Sequence, residues 1–445
     1  MQNKHTRARR TQARSRVVKK PVKKAKEHSL IELYLHGLTG VIGLGVLIIP
    51  LFLALLYGGP FSIYLVIAAG FIALLIGILI YDISLTHSHD PYNFLKATSG
   101  KEYSFIFGFL LLVSFLITIT IAGIAAVGEL AFFFGLSVYT AIVAVDAVLI
   151  FIWILFFFNK VRKSLNFSGA LKLFFIVLLI ALGAISLASH GVHSGGYLSI
   201  PLSTSYALPS FAFALLLFLW MYGGFEGASI VYKGQNRSKV AKALVYIIIT
   251  SIVLFSLVQL FVYESGSMIT ESTILSAPAT IFTANIISFG FSMPVQDIVV
   301  GLSLIVILAT AFALANASNR TLDDMSRDGV MPAFLAKDEN LKLLVSIAIP
   351  LVLVTIFSPI IVLGTALFSY LLIVIISALV FASAFAFFSF GYLYHYAKKK
   401  DYLRVLLGLF TTAVLIALIV SAPAAFLIGL VVILIISLIG YVLIK

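Results

Sequence analysis

The chain has no cysteine among its 445 residues. That excludes disulfide cross-links, thiolate nucleophiles and cysteine-held metals. Charge is scarce too, at 11% of residues against 62% hydrophobic, where an ordinary soluble domain carries about 25% charged residues. The eight His are scattered, and no carboxylate pair shares a helical face deep inside an apolar run. A membrane-embedded enzyme needs such groups clustered at one membrane face, so that class is disfavoured. The +13 net charge raises the question of nucleic acid, but the basic residues are not interleaved with aromatics, and no nucleic-acid partner is expected.

What the chain has instead is long apolar runs, with a mean hydropathy of +1.15. Twelve spans are read: 31–56, 60–82, 104–134, 138–158, 166–189, 206–232, 242–263, 294–317, 341–357, 362–393, 402–420 and 424–443. A hydrocarbon core of ~30 Å needs about 20 helical residues, and most of these runs supply them. The ninth is short, and Pro350 and Ser358-Pro359 make its hairpin the weakest boundary. The expected class is therefore an all-α integral membrane protein of 12 transmembrane helices.

The Lys and Arg set its orientation. Eleven of the 30 precede the first span, and all but one of the others fall in alternate loops, in the first residues of the spans that follow those loops, or at the C-terminus. The exception, Lys172, lies within the fifth span, and no outer loop carries a Lys or Arg. The positive-inside rule then places both termini in the cytoplasm of a multi-pass cell-membrane protein. Residues 1–29 read as a disordered basic tail lying near anionic lipid. They lack the apolar core of a cleavable signal.

Two glycine-rich breaks interrupt the apolar pattern. Gly40-Val41-Ile42-Gly43-Leu44-Gly45 lies in the first span, and Gly223-Gly224-Phe225-Glu226-Gly227 lies in the sixth. Broken helices survive in lipid only where protein or a cavity covers the freed backbone. The breaks are five spans apart, an odd number, so their helices run in opposite directions. The expected organisation is an inverted repeat, 30–190 (spans 1–5) and 206–396 (spans 6–10), with 402–445 appended as spans 11 and 12. Gly43 lies about 12 residues into span 1, ~18 Å at 1.5 Å per residue, near the midplane. Matched interrupted spans are a sequence pointer to a transport site. A zwitterion fits it: carboxylate on the amides of Gly43 to Gly45, ammonium on the carbonyls from Trp220 to Gly223.

Three motifs extend this reading. Gly43-Leu44-Gly45-Val46-Leu47-Ile48-Ile49-Pro50 contains glycines flanking one residue, then a proline. Trp220-Met221-Tyr222-Gly223-Gly224-Phe225-Glu226 contains Gly-Phe-Glu with an aromatic four residues before the second glycine. Asn319-Arg320-Thr321-Leu322-Asp323-Asp324-Met325-Ser326-Arg327-Asp328-Gly329-Val330-Met331-Pro332 follows the eighth span as a loop. In these, and in their order over spans 1–10, the chain resembles the amino acid–polyamine–organocation (APC) superfamily. The resemblance implies a five-plus-five inverted repeat working by alternating access. The implied substrate-binding residues are Gly40, Ile42, Gly43, Leu44, Gly45, Trp220, Met221, Tyr222, Gly223 and Gly224, with Trp220 at the gating aromatic position. Leu44 and Leu47 stand where that family has a small residue and a Phe. Lys233-Gly234 and Asn236-Arg237 replace an acidic pair and Asn-Pro after the sixth span.

Lys172 has two readings. It can snorkel to the cytoplasmic interface, or its amine can stand in for a sodium ion beside span 1 carbonyls and carry a proton during transport. Several proton-coupled or sodium-independent relatives have lysine here, which favours the second. Glu226 either gates the span 6 break or caps its free amides. Thr310 and Ser303 are candidate cation-site hydroxyls, or bond back to their own helix. Glu129, Asp146 and Asp297 are expected to reach the interface, and His87-Ser88-His89-Asp90 to be a solvated loop. The expected function is secondary active transport of a neutral amino acid or related amine, proton-coupled and without cofactor. An exchanger or uniporter of the same fold, or a non-transporting sensor, is the alternative. Substrate identity and oligomeric state are left open.

Overall fold

The computed structural model describes residues 28–49, 61–87, 90–157, 161–190, 211–231, 236–265, 292–332, 334–335, 338–363 and 367–444. Residues 1–27 of the basic tail, Pro50, Ser88, His89, Lys233 and Gly234 lie outside them. Every extended regular element among the described residues is helical. Eight helices are long and apolar enough to cross a membrane, and four shorter apolar helices accompany them.

Helix α1 (Leu30–Val41) opens with a capping box. Glu32 N donates to Ser29 Oγ at 3.2 Å, and Ser29 N donates to the Glu32 carboxylate at 3.0 Å. Its 12 residues rise ~18 Å, about half a hydrocarbon core. Helicity breaks at Ile42 and Gly43 and resumes over residues 44–49. Then come α2 (Phe61–Thr86), α3 (Pro91–Ser99), α4 (Lys101–Phe133), α5 (Val138–Phe157) and α6 (Val161–His190). The second broken element is α7 (Phe211–Met221) and α8 (Glu226–Val231). The chain continues through α9 (Arg237–Ser265), α10 (Met293–Arg327), α11 (Glu339–Leu363), α12 (Leu367–Lys399), α13 (Tyr402–Val420) and α14 (Ala424–Ile444).

The centre of the molecule is an apolar cluster drawn from both broken elements and from α2, α4, α10 and α12. Among these, α2 packs on α9 and α4 on α10, while α1 lies against α6 and α9, and α7 against α2 and α12. The most buried transmembrane helices are α4 and α12, and α13 is among the more lipid-facing.

Several expectations need correction. Residues between spans 2 and 3, read as a loop, form α3, because Asp90 caps Asn93 N at 3.0 Å and Pro91 suits the first turn. Asp90 is thus buried rather than solvated. The motif at 319–332 is helical as far as Arg327. There Thr321 and Ser326 hydroxyls bond back to carbonyls one turn earlier, and Asp323 pairs with both Arg327 (2.8 Å) and Lys342. Helix α11 runs through both Pro350 and Pro359 to Leu363, since a helix packed in an apolar setting can absorb the lost backbone bonds. Glu129 is buried, at 1% exposure, rather than at an interface. Asp146 is only partly buried and accepts a 3.0 Å bond from the exposed Thr355 of α11, which does not contradict its expected place.

At the end of the bundle rich in Lys and Arg, polar contacts tie α3 and α4 to the end of α10. Tyr92 and Lys96 both donate to the Asp328 carboxylate, the tyrosine at 3.0 Å, and Lys101 reaches the Asp328 carbonyl at 3.0 Å. Burial, and then the adjacent Asp328 charge, hold the Tyr92 phenol well above its ordinary pKa, so it remains a donor. A second group joins α2, α12 and α13: Arg404 donates to Asp82 Oδ1 at 2.9 Å, while Tyr392 and Tyr396 donate to Asp82 Oδ2 at 2.9 and 3.1 Å.

Candidate functional site

The two breaks meet in space. A β-carbon built on Gly40 would lie 2.5 Å from the Gly224 carbonyl oxygen, closer than real β-carbons approach any atom. Gly224 also has φ +107°, a region that L-residues with side chains rarely occupy. Both glycines are therefore required by the crossing itself. Gly43 likewise faces Thr310 with no room for a β-carbon.

The second break is built from short-range bonds. Tyr222 N donates to Leu219 O at 3.0 Å and Gly223 N to Trp220 O at 2.9 Å, which tightens the last turn of α7. The chain then turns at Gly224, whose amide donates to both Glu226 carboxylate oxygens at 3.1 and 3.0 Å. The carboxylate thus caps the break, the second of the two roles expected for Glu226.

Lys172 is fully buried and does not snorkel. Its Nζ donates to Thr39 O at 2.6 Å and to Thr310 Oγ1 at 2.7 Å. The reason lies in α1. The last carbonyls of a helix have no intrahelical partner, and its C-terminal end carries partial negative charge. Ile42 N takes Leu38 O at 2.8 Å; the lysine takes Thr39 O. Thr310 bonds back to its own helix, its hydroxyl donating to Val306 O at 2.9 Å, while its oxygen accepts from the lysine. Ser303 only bonds back, to Val300 O at 2.7 Å.

A cavity of about 30 Å³ lies beside this junction. Of the expected residues, Gly40, Leu44, Gly45, Trp220, Met221, Gly223, Gly224, Glu226 and Thr310 line it. Ile42, Gly43, Tyr222 and Lys172 lie outside that lining. Ile42 is core, and Tyr222 sends its hydroxyl to Val66 O at 3.0 Å. Val41, Ser114, Phe115, Thr118, Leu314 and Phe381 line the cavity without having been expected. Ser114 and Thr118 are four apart on a largely apolar helix, so their shared face was a usable signal. Phe381 is one aromatic in a run of apolar residues and carried none.

Three of these elements are joined by a directed chain of hydrogen bonds. Trp220 Nε1 donates to Ser377 Oγ at 2.9 Å. Ser377 and Thr118 hydroxyls are 3.0 Å apart, and Thr118 donates to Ser114 O at 2.8 Å. With the Thr118 proton directed to that carbonyl, Ser377 donates to Thr118. The indole is thereby fixed against α4 and α12.

Apolar helices of membrane length, packed around two shorter broken elements that meet at one cavity, are the architecture of a membrane transporter. The chain belongs to the amino acid permease family, whose family model matches residues 29–443, and so to the APC superfamily. Sequence comparison with curated proteins finds no match. Among solved structures, a mutant of the manganese transporter of Eremococcus coleocola is 15% identical, with 94% of this chain and 96% of that one covered and a TM-score of 0.55. The same transporter with an aromatic bis-isothiourea substituted compound gives 13% identity, 94% and 95% coverage and a TM-score of 0.54. Likeness at this identity shows a shared fold.

Proposed function

We propose that this permease is a secondary transporter of a neutral amino acid or related amine, coupled to protons and working by alternating access. The observation that carries the reading is Lys172, held between the end of α1 and Thr310 of α10, directly behind the cavity. A buried ionisable group in a membrane helix is a functional candidate by default. This one supplies positive charge where α1 ends in free carbonyls. An ammonium has three N–H groups, and two are engaged here. The third proton can leave without removing the donor from either bond, which suits a group that cycles between charged and neutral forms.

The cavity supports a neutral substrate. Its one lining carboxylate, Glu226, already accepts from Gly224 N, and its other polar groups are main-chain atoms, hydroxyls and the Trp220 indole. Backbone carbonyls at the α7 end suit an ammonium, and amides at the start of residues 44–49 suit a carboxylate. Manganese transport belongs to the structural neighbours and is not carried over.

The proposed topology has twelve spans with both termini cytoplasmic, and repeats over 30–190 and 206–396. The packing supports the repeat, because α1 lies on the fifth and seventh spans (α6, α9) and α7 on the tenth and second (α12, α2), an exchange expected of a twofold. The test is uptake into proteoliposomes of purified protein, across a neutral amino acid panel. Uptake should follow an imposed inward proton gradient, collapse with it, and be lost in Lys172→Ala. Gradient-independent uptake would instead support an exchanger or uniporter, in which the doubly bonded lysine is a fixed structural charge. Absence of ligand-dependent thermal stabilisation across the panel would count against amino acids altogether.

A further inference from the structure

The walls of the cavity differ in how far they can yield. Trp220 is fixed by the hydrogen-bond chain through Ser377 and Thr118. Phe381 is held edge-on against Phe385 (centroids 4.9 Å apart), which in turn stacks on Phe225 at 6.0 Å and meets Phe388 at 6.3 Å. Where Gly40 meets Gly224 the wall is backbone against backbone. The remaining wall is aliphatic, from Val41, Leu44, Met221 and Leu314, and of these Leu44, 1% exposed, is the one on the helical stretch 44–49 that follows the first break. It stands next to the amides of the break, where a bound carboxylate would place its α-carbon and side chain nearby.

The space left is small. A water needs roughly 10–15 Å³ of such volume, so 30 Å³ accommodates about two water-sized groups. Even the smallest zwitterion is larger than this and must widen the cavity, and each further methylene must displace a wall. We propose that Leu44 is the size-determining residue of this site and restricts it to amino acids with the smallest side chains, glycine, alanine and serine. The inference rests on the amino acid reading above and adds the size class to it. The hydroxyl-bearing face at Ser114 and Thr118 offers serine a partner without enlarging the site.

The test is equilibrium binding by the full-length purified protein to glycine, alanine, serine, leucine and phenylalanine. A methylene excluded from a tight pocket is worth roughly tenfold or more in discrimination, so alanine should bind at least tenfold more tightly than leucine or phenylalanine. Leu44→Ala should bring leucine to within about threefold of alanine, whereas the volume-conserving Leu44→Met keeps the original ranking. Should Leu44→Ala fail to fold, Leu44→Val is expected to move the ratio the same way by a smaller factor. Wild-type protein that binds leucine or phenylalanine as tightly as alanine overturns the size assignment alone. So does an alanine-to-leucine ratio unchanged in both Leu44→Ala and Leu44→Val. Failure of every amino acid to bind any of these proteins overturns the amino acid reading, and this one with it.

Discussion

Gly40→Ala is the sharpest probe of the crossing. The added β-carbon would sit 2.5 Å from the Gly224 carbonyl oxygen, whereas ordinary contact begins near 3.4 Å. One backbone must therefore retreat by about 0.9 Å, and the obstacle is not a side chain that can rotate away. Overpacking of this kind typically destabilises by about 1–3 kcal/mol. The same shift would move the α1 end relative to α6 and α10, so the 2.6 and 2.7 Å bonds of Lys172 would be strained together with the cavity wall. The expected outcome is a lower unfolding temperature in detergent and uptake reduced to a small fraction of wild type. Gly429→Ala is the control. No atom lies within 4 Å of its added β-carbon, it lies inside α14, and the change should be neutral or stabilising by up to about 1 kcal/mol. Wild-type stability and uptake in Gly40→Ala would refute the close crossing; equal damage in both variants would refute its local cause.

Lys172→Met removes the buried ammonium while keeping most of its length. It should abolish gradient-driven uptake, but stability should change by no more than about 2 kcal/mol, because relief of a buried charge offsets the unsatisfied Thr39 carbonyl; this is read by paired uptake and unfolding measurements. Ser377→Ala leaves the Trp220 N–H without its acceptor, at about 1–3 kcal/mol, and should raise the uptake KM, while Ser377→Thr restores it. Asp328→Asn removes the charge facing Lys96, and a double-mutant cycle with Lys96→Met should show coupling of about 0.5–3 kcal/mol in unfolding. The chain has no cysteine, so single introduced thiols report topology cleanly. An impermeant reagent should label Ser137→Cys on intact cells and Lys399→Cys only after permeabilisation.

Most of the fold was legible because lipid imposes a strong one-dimensional code. Length and apolarity were enough to locate the long helices among the described residues, and glycine in an apolar run was enough to locate both breaks. What failed was local. Asp90-Pro91 is a good helix start that the surrounding His and Ser obscured. The polar motif at 319–327 resembles a loop by composition, yet Asp323 and Arg327 are one turn apart and stabilise the helix that carries them. The site was half legible for a different reason. Gly40 and Trp220 are marked by their own chemistry, but the partners that give them meaning lie far along the chain: Lys172 reaches Thr39 across 133 residues, and Trp220 reaches Ser377 across 157. A lysine in an apolar helix announces that some acceptor must exist, since an unpaired buried charge is prohibitively costly. Which acceptor is decided by where a helix ends. Because α1 stops at Val41 rather than crossing in one piece, Thr39 O lacks an intrahelical partner and the lysine meets it. The glycine break and the buried lysine, which read as separate signals in the sequence, are therefore two halves of one electrostatic arrangement.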